Sequence, residues 1–256
     1  MKLIVNADDF GLSEAVNLGI VKSFTGGIVR STTIMSNTPG FEHAAALSKK
    51  YDSLGIGIHL VMTSGAALTG PKKTLTEADG SFFKQGKFFD MVKNKQIDYG
   101  EMEIELRAQL NKVCDAGIKL THCDSHHHFH LQNGPFEVVK KLAGEYGLPI
   151  RAGLKEDFTR SYPDICSTER FSMDFYGNDL TDESFIEILE RNKGTESLEI
   201  MAHPAFLDKT IISMSSYNIA RTNELEILTS KKVADYIKNH NIILQNYRDY
   251  VKCGKS

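Results

Sequence analysis

The chain has 256 residues, 41% hydrophobic and 25% charged, the balance of a globular enzyme built on one large domain. Lys+Arg total 30 against 33 Asp+Glu, a formal charge of −3, so no basic surplus is present to gather nucleic-acid phosphates or an anionic membrane. No apolar stretch is long enough to span a bilayer, and four scattered cysteines form no disulfide framework, so a cytoplasmic protein is expected.

Short apolar runs alternate with helical patterns along the chain. Leu3–Val5 reads as a buried strand, followed by a helix that Ser13 caps and Gly26-Gly27 ends. Ser31–Met35 and Leu54–Leu60 read as the second and third strands, with a helix over Phe41–Lys50 between them. From 61 to 98 the alternation fails. Glycines and Phe82, Phe83, Phe88 and Phe89, which look exposed, suggest an inserted flap or lid, the alternative for the four rings being a small satellite core or a subunit interface. A helix beginning near Glu101, in which Glu103 can pair with Arg107, leads to a strand at Ile118–Thr121. Further strands are expected at 148–151, 171–175, 198–201 and 242–244, with helices at 135–146 and 181–191 and two more after His203. About eight strands alternate with about seven helices, the pattern of a parallel sheet with right-handed crossovers. At this length an α/β fold of the (β/α) barrel kind, or a distorted TIM-like barrel with the inserted flap, is favoured.

The polar residues of interest fall where strands end, as the functional groups of such barrels do. Asp8-Asp9 follows the first strand, His59 ends the third, and five of the nine histidines lie between His122 and His130. His203-Pro204 follows the strand at 198–201, and Arg151 ends another and could pair with a carboxylate in the mouth. Each has an ordinary alternative: an acidic helix start for Asp8-Asp9, a hydrogen-bonded core residue for His59, a turn for His203 and a surface position for Arg151. Taken together, aspartates and histidines converging on one mouth describe a hydrolytic metal site. Three consecutive histidines cannot all face one ion, so one ligand is expected from the run, with its neighbours contacting either the substrate or the ligands from behind. Asp124 could orient one imidazole as an acceptor. Nucleotide-binding loops, the GxSxG elbow and HEXXH are absent.

Asn6-Ala7-Asp8-Asp9-Phe10-Gly11, Gly57-Ile58-His59-Leu60, the run from His122 to His130 and His203-Pro204 together resemble the YdjC-like carbohydrate deacetylases. The resemblance implies a barrel-like fold, often dimeric, that removes acetyl groups from N-acetylated sugars. It implies Asp9, His59 and His126 as metal ligands and Asp8 as catalytic base. Analogy with the NodB-type deacetylases makes His203 the proton donor. Mg²⁺ is the metal the family implies, although two imidazoles and a carboxylate would suit Zn²⁺ or Co²⁺ equally. Arg151, His128 and His130 are then candidates for substrate contacts. The alternatives are a metallo-hydrolase of phosphate esters or cyclic amides, or a catalytically silent metal- or sugar-binding protein.

Overall fold

A computed structural model of the chain describes residues 1–153, 162 and 164–250. The first strand, β1 (Lys2–Phe10), is buried throughout except at Lys2. That is the pattern of a strand covered on both faces, which is why its sequence shows a run rather than an alternation of apolar residues. It pairs in parallel with β6 (Ser197–Ala202) on one side and β2 (Ser31–Ile34) on the other. Beyond these lie β3 (Gly55–Leu60), β4 (Cys123–Ser125) and β5 (Arg170–Ser172), giving the order β4-β3-β2-β1-β6-β5, all parallel. The short β7 (Ile243–Leu244) pairs with the start of β1.

The sheet is curled. Six flat strands would hold its outermost members about 24 Å apart at the usual spacing of ~4.8 Å. Ile150 instead bridges to Cys123 of β4, while the neighbouring Arg151 guanidinium lies 5.0 Å over the ring of Phe171 in β5. The two ends of the sheet order therefore face one another around a shared interior. The fold is a distorted (β/α) barrel, with seven strands among the described residues rather than eight. The expected strand at 118–121 begins later, at Cys123, although Thr121 already donates its N–H to Ile56 of β3.

Helices cover the outside. Helix α1 (Glu14–Thr25) starts as expected, with Ser13 accepting from the Val16 N–H, and Gly26 follows its last residue. Helices α2 (Phe41–Lys50), α4 (Tyr99–Asp115), α5 (Pro135–Tyr146) and α6 (Asp182–Arg191) follow the predicted pattern, and Arg107 meets Glu103 at 2.9 Å.

The 61–98 segment departs from its expected exposure. It contains a helix, α3 (Gln85–Lys93), and Phe82, Phe83 and Phe88 are at most 5% exposed within the main core. Phe88 meets Phe129 edge-on at 5.9 Å. Glu105 of α4 accepts from the Leu68 and Thr69 amides, while Gln109 holds both backbone polar groups of Val61. Polar side chains of α4 thus supply the hydrogen bonds that a segment without a sheet partner would otherwise lack.

Candidate active site

Because every main strand is parallel, the carboxyl ends of β1, β3, β4 and β6 open on one face. An open cavity of about 590 Å³ lies there, within the usual range for small-molecule sites. Asp8, Asp9, His59, His126, His128 and His203 line it.

The pairing of β1 with β2 shifts register between Ala7 and Phe10, and Asp9 takes a left-handed φ of 70°. A non-glycine residue held there is strained, and such strain collects where a side chain must be aimed. It turns Asp9 towards the histidines: Oδ1 lies 3.4 Å from His59 Nε2 and 3.2 Å from His126 Nδ1. The ligand atoms of these three residues all fall within 4.8 Å of one another. Asp9 Oδ1 is buried and accepts no hydrogen bond. A buried, unpaired carboxylate oxygen facing two imidazole nitrogens is costly unless a cation or proton lies between them, so the residues fit a divalent ion. After His126, His127 and His128 adopt left-handed φ values of 57° and 52°, and the chain turns so sharply that one histidine of the run joins this cluster.

His59 is also oriented from behind. Its register neighbour on β4 is Asp124, whose Oδ1 lies 2.7 Å from His59 Nδ1. Nδ1–H directed at that carboxylate leaves the Nε2 lone pair facing Asp9, the usual arrangement behind a metal-binding imidazole. Burial opposes the charged ring, but the carboxylates of Asp124, Asp9 and Asp8 together outweigh it and push His59 up to about 10. A proton and a cation therefore compete for Nε2.

Asp8 has different surroundings. Arg151 grips it with two bonds of 2.8 and 2.6 Å, and Asn6 donates to Oδ1 at 2.8 Å. Burial would raise the carboxyl, yet the Arg151 charge holds it well below the usual carboxylate range. The same guanidinium reaches Asp124 at 2.8 Å and Glu199 at 2.8 Å. Arg151 is thus sealed inside the barrel, fully buried, and does not line the cavity. The carboxylates expected to meet it are there, but they hold it too deep to touch substrate. His130 is also fully buried, its Nδ1 lies 2.6 Å from Ser125 Oγ, and it stays out of the cavity. His128 does line it, with burial lowering its pKa to about 3. His122 is another core residue, stacked on Tyr247 with centroids 4.0 Å apart. Gly57 is required beside it, since a Cβ there would lie 2.4 Å from the His122 ring.

His203 stands at the end of β6, its Nδ1 without a hydrogen bond and 3.9 Å from Glu224 Oε1. Glu224 accepts from the His203 amide and the Tyr217 hydroxyl. Burial, with the Arg221 charge, lowers His203 to about 4, and burial raises Glu224 to about 8. At neutral pH the pair thus carries one proton. Arg221 donates to Asp9 Oδ2 at 2.7 Å and lines the cavity. Arg221 and Glu224 were not singled out from the sequence. They lie on helix α8 (Ile219–Leu228), which follows α7 (Lys209–Met214). With Leu225 and Leu228 they occupy i, i+3, i+4 and i+7, a single helix face, and all four are buried. Charged residues on an apolar stripe were the available signal.

Fold and site together define a hydrolase-like distorted barrel with an Asp-His-His centre. A family 4 carbohydrate esterase from Streptomyces lividans, solved with acetate, has the same general fold: TM-score 0.50 and 12% identity, over 95% of this chain and 91% of that one. The chain belongs to the YdjC-like family, whose model matches residues 2–239. It is 45% identical to a carbohydrate deacetylase of Brevibacillus brevis, over 97% of this chain and 99% of that protein. It is 44% identical to one from Clostridium beijerinckii over 97% and 100%. A crystal structure of a proposed cellobiose-phosphate cleavage protein from Enterococcus faecalis V583 superposes with TM-score 0.90 at 31% identity, covering 97% of this chain and 98% of that one. Among the described residues, no helix is long and apolar enough to cross a membrane.

Proposed function

We propose that the protein is a metal-dependent deacetylase of N-acetylated amino sugars or short oligosaccharides, releasing acetate and a free amine. The observation that carries this reading is the convergence of Asp9, His59 and His126 within 4.8 Å, beside a second carboxylate, on a cavity of sugar size. The names of the relatives support the substrate class. A divalent ion held by those three residues would polarise the acetamide carbonyl and acidify a water, and the donor set suits Zn²⁺ or Co²⁺ as well as Mg²⁺.

The remaining steps belong to the chain. Asp8 has about four lone-pair sites and three donors upon them, so one site on Oδ2 is left to accept a proton from the attacking water. Arg151 fixes that carboxylate in its charged form. His203 receives the proton held by the Glu224 pair after a small side-chain shift and passes it to the departing amine. Phosphate-ester hydrolysis would draw on the two cations at the cavity, Lys84 and Arg221, but Arg221 is already engaged by Asp9. Lys84, Gln85 and Gly86 of the 61–98 segment line the cavity, which supports a role for the segment, as a lid or a dimer contact bordering the mouth, in deciding which sugars enter. A homodimer working in the cytoplasm completes the reading.

Acetate release from N,N′-diacetylchitobiose tests it. Activity is expected in metal-loaded protein, lost with chelator and restored by a divalent ion. Release indifferent to chelation removes the metal, and no release from any acetylated sugar removes the deacetylase.

A further inference from the structure

A sugar site needs an apolar face as well as a polar centre. The chain has no Trp, and Phe82, Phe83 and Phe88 are buried in the core. The aromatic surface of the cavity comes instead from Tyr176 and Tyr217. Their rings stack, with centroids 3.9 Å apart and planes 15° from parallel. Tyr217 is fixed from behind: its hydroxyl donates to Glu224, its oxygen accepts from the Gly177 N–H at 3.0 Å, and the Arg221 guanidinium lies 5.6 Å from its ring. One face of Tyr176 is thus covered by a rigid neighbour. The residue is nevertheless 51% exposed, so the face turned away from Tyr217 is the open one. The His203 ring stands edge-on beside it, with centroids 5.5 Å apart and planes at 75°.

We propose that Tyr176 is the stacking platform for the sugar ring that bears the scissile acetamido group, and that it makes the enzyme select cyclic sugars over open-chain acetamides. The inference rests on the deacetylase reading for the identity of that group. A leaving nitrogen hydrogen-bonded to His203 lies about 3 Å from the imidazole. That nitrogen is attached directly to a ring carbon of an amino sugar, so the pyranose lies within one ring's width of His203. His203 stands beside the edge of the tyrosine pair, 5.5 Å from the Tyr176 centroid and 5.7 Å from that of Tyr217, and of the two rings Tyr176 is the one with a face open to such a sugar. The C–H edge of a pyranose carries positive charge density that the negative face of an aromatic ring attracts. Because Tyr217 already holds Tyr176 in place, little side-chain freedom is lost on binding.

The absence of Trp supplies the probe. In Tyr176→Trp the only tryptophan of the chain sits at the platform, and the larger flat ring preserves stacking. Titrating metal-loaded Tyr176→Trp with N,N′-diacetylchitobiose is expected to shift its emission saturably, with KM near that of the unsubstituted enzyme. Tyr176→Leu keeps apolar bulk but loses the flat face, and should raise KM for the sugar about tenfold with kcat little changed. N-acetylethanolamine, an acetamide with no ring, should be turned over equally by both proteins. An unchanged KM in Tyr176→Leu, or silent emission while the sugar is turned over, overturns the platform and leaves the deacetylase reading intact. A saturable shift without acetate release from any acetylated sugar keeps the platform and overturns that reading. Neither shift nor release overturns both.

Discussion

Asp8 and Asp9 leave the same strand one residue apart, yet Asp8 accepts three hydrogen bonds of 2.6 to 2.8 Å while Asp9 Oδ1 accepts none. The contrast extends to the regions around them. Behind Asp8 lies a sealed lattice in which Arg151 joins Asp8, Asp124 and Glu199, and Tyr247 donates to Glu199. In front of Asp9, donor atoms converge without satisfying one another. A barrel interior holds charges only when each has a partner, because an unpaired buried ion is costly. The unpaired set is tolerable where something from outside completes it. The lattice sets orientation and charge, and the open centre does chemistry.

Separating the two carboxylates gives the largest expected effect. Asp8→Asn removes the proton acceptor but keeps a side chain of the same shape, so the rate should fall about 10²–10⁴-fold. Metal content, measured by elemental analysis of the purified protein, should be unchanged. Near-normal turnover in the metal-loaded variant would remove Asp8 from the mechanism. Loss of the metal would show that the two carboxylates are not distinct in role.

Arg151→Met attacks the lattice itself. It leaves Asp8, Asp124 and Glu199 buried without their common cation, and the cost of stranding such charges is about 3–5 kcal/mol. Urea unfolding followed by circular dichroism measures it. A loss well under 1 kcal/mol would mean that water reaches these carboxylates, contrary to a sealed interior.

The proton held by His203 and Glu224 sets a pH dependence. Glu224 is raised to about 8, so the pair is loaded below that pH and loses its proton as pH rises through it. The kcat profile should therefore fall on its alkaline side near pH 8. In Glu224→Gln only His203, lowered to about 4, can carry the proton, so the fall should move to lower pH. A profile unaltered by Glu224→Gln would assign the limb to another group.

How much of this could be read beforehand depends on where each residue sits. Asp9, His59, His126 and His203 are at or just beyond the ends of parallel strands, and a short apolar run ending in a polar residue marks such a place directly. The orienting role of Asp124 was also legible, since it lies in the histidine run. The depth of Arg151 was not, because depth depends on how far the sheet curls and on which carboxylates meet across it. Tyr176 and Tyr217 were equally hidden. They lie in the stretches before α6 and before α8, and meet only because the fold brings residues 176 and 217 together. The helix at Gln85–Lys93 escaped because its buried residues, Phe88 and Val92, give it only a narrow apolar stripe.

Thr33 offers the smallest effect and the finest division between lattice and centre. Its hydroxyl donates to Asp124 Oδ2 at 3.0 Å, accepts from Asn6 Nδ2 at 3.2 Å and lies 3.2 Å from His59 Nδ1. Each of these partners has another tie. Asp124 Oδ2 still meets Arg151 at 2.8 Å, Asn6 Nδ2 still donates to Asp8 at 2.8 Å, and His59 Nδ1 keeps Asp124 Oδ1 at 2.7 Å. Thr33→Val conserves shape, so it should cost only about 1 kcal/mol, the net worth of one hydrogen bond. Metal affinity should hardly change, because the imidazole remains oriented. Asp124→Asn removes the carboxylate behind His59 and should weaken metal binding about 10–100-fold. Calorimetric titration of both variants with Zn²⁺ tests the pair. If Thr33→Val weakened the metal as much as Asp124→Asn, the hydroxyl rather than the carboxylate would be what holds His59 in place, and the redundancy inferred for the lattice would not extend to its contact with the metal centre.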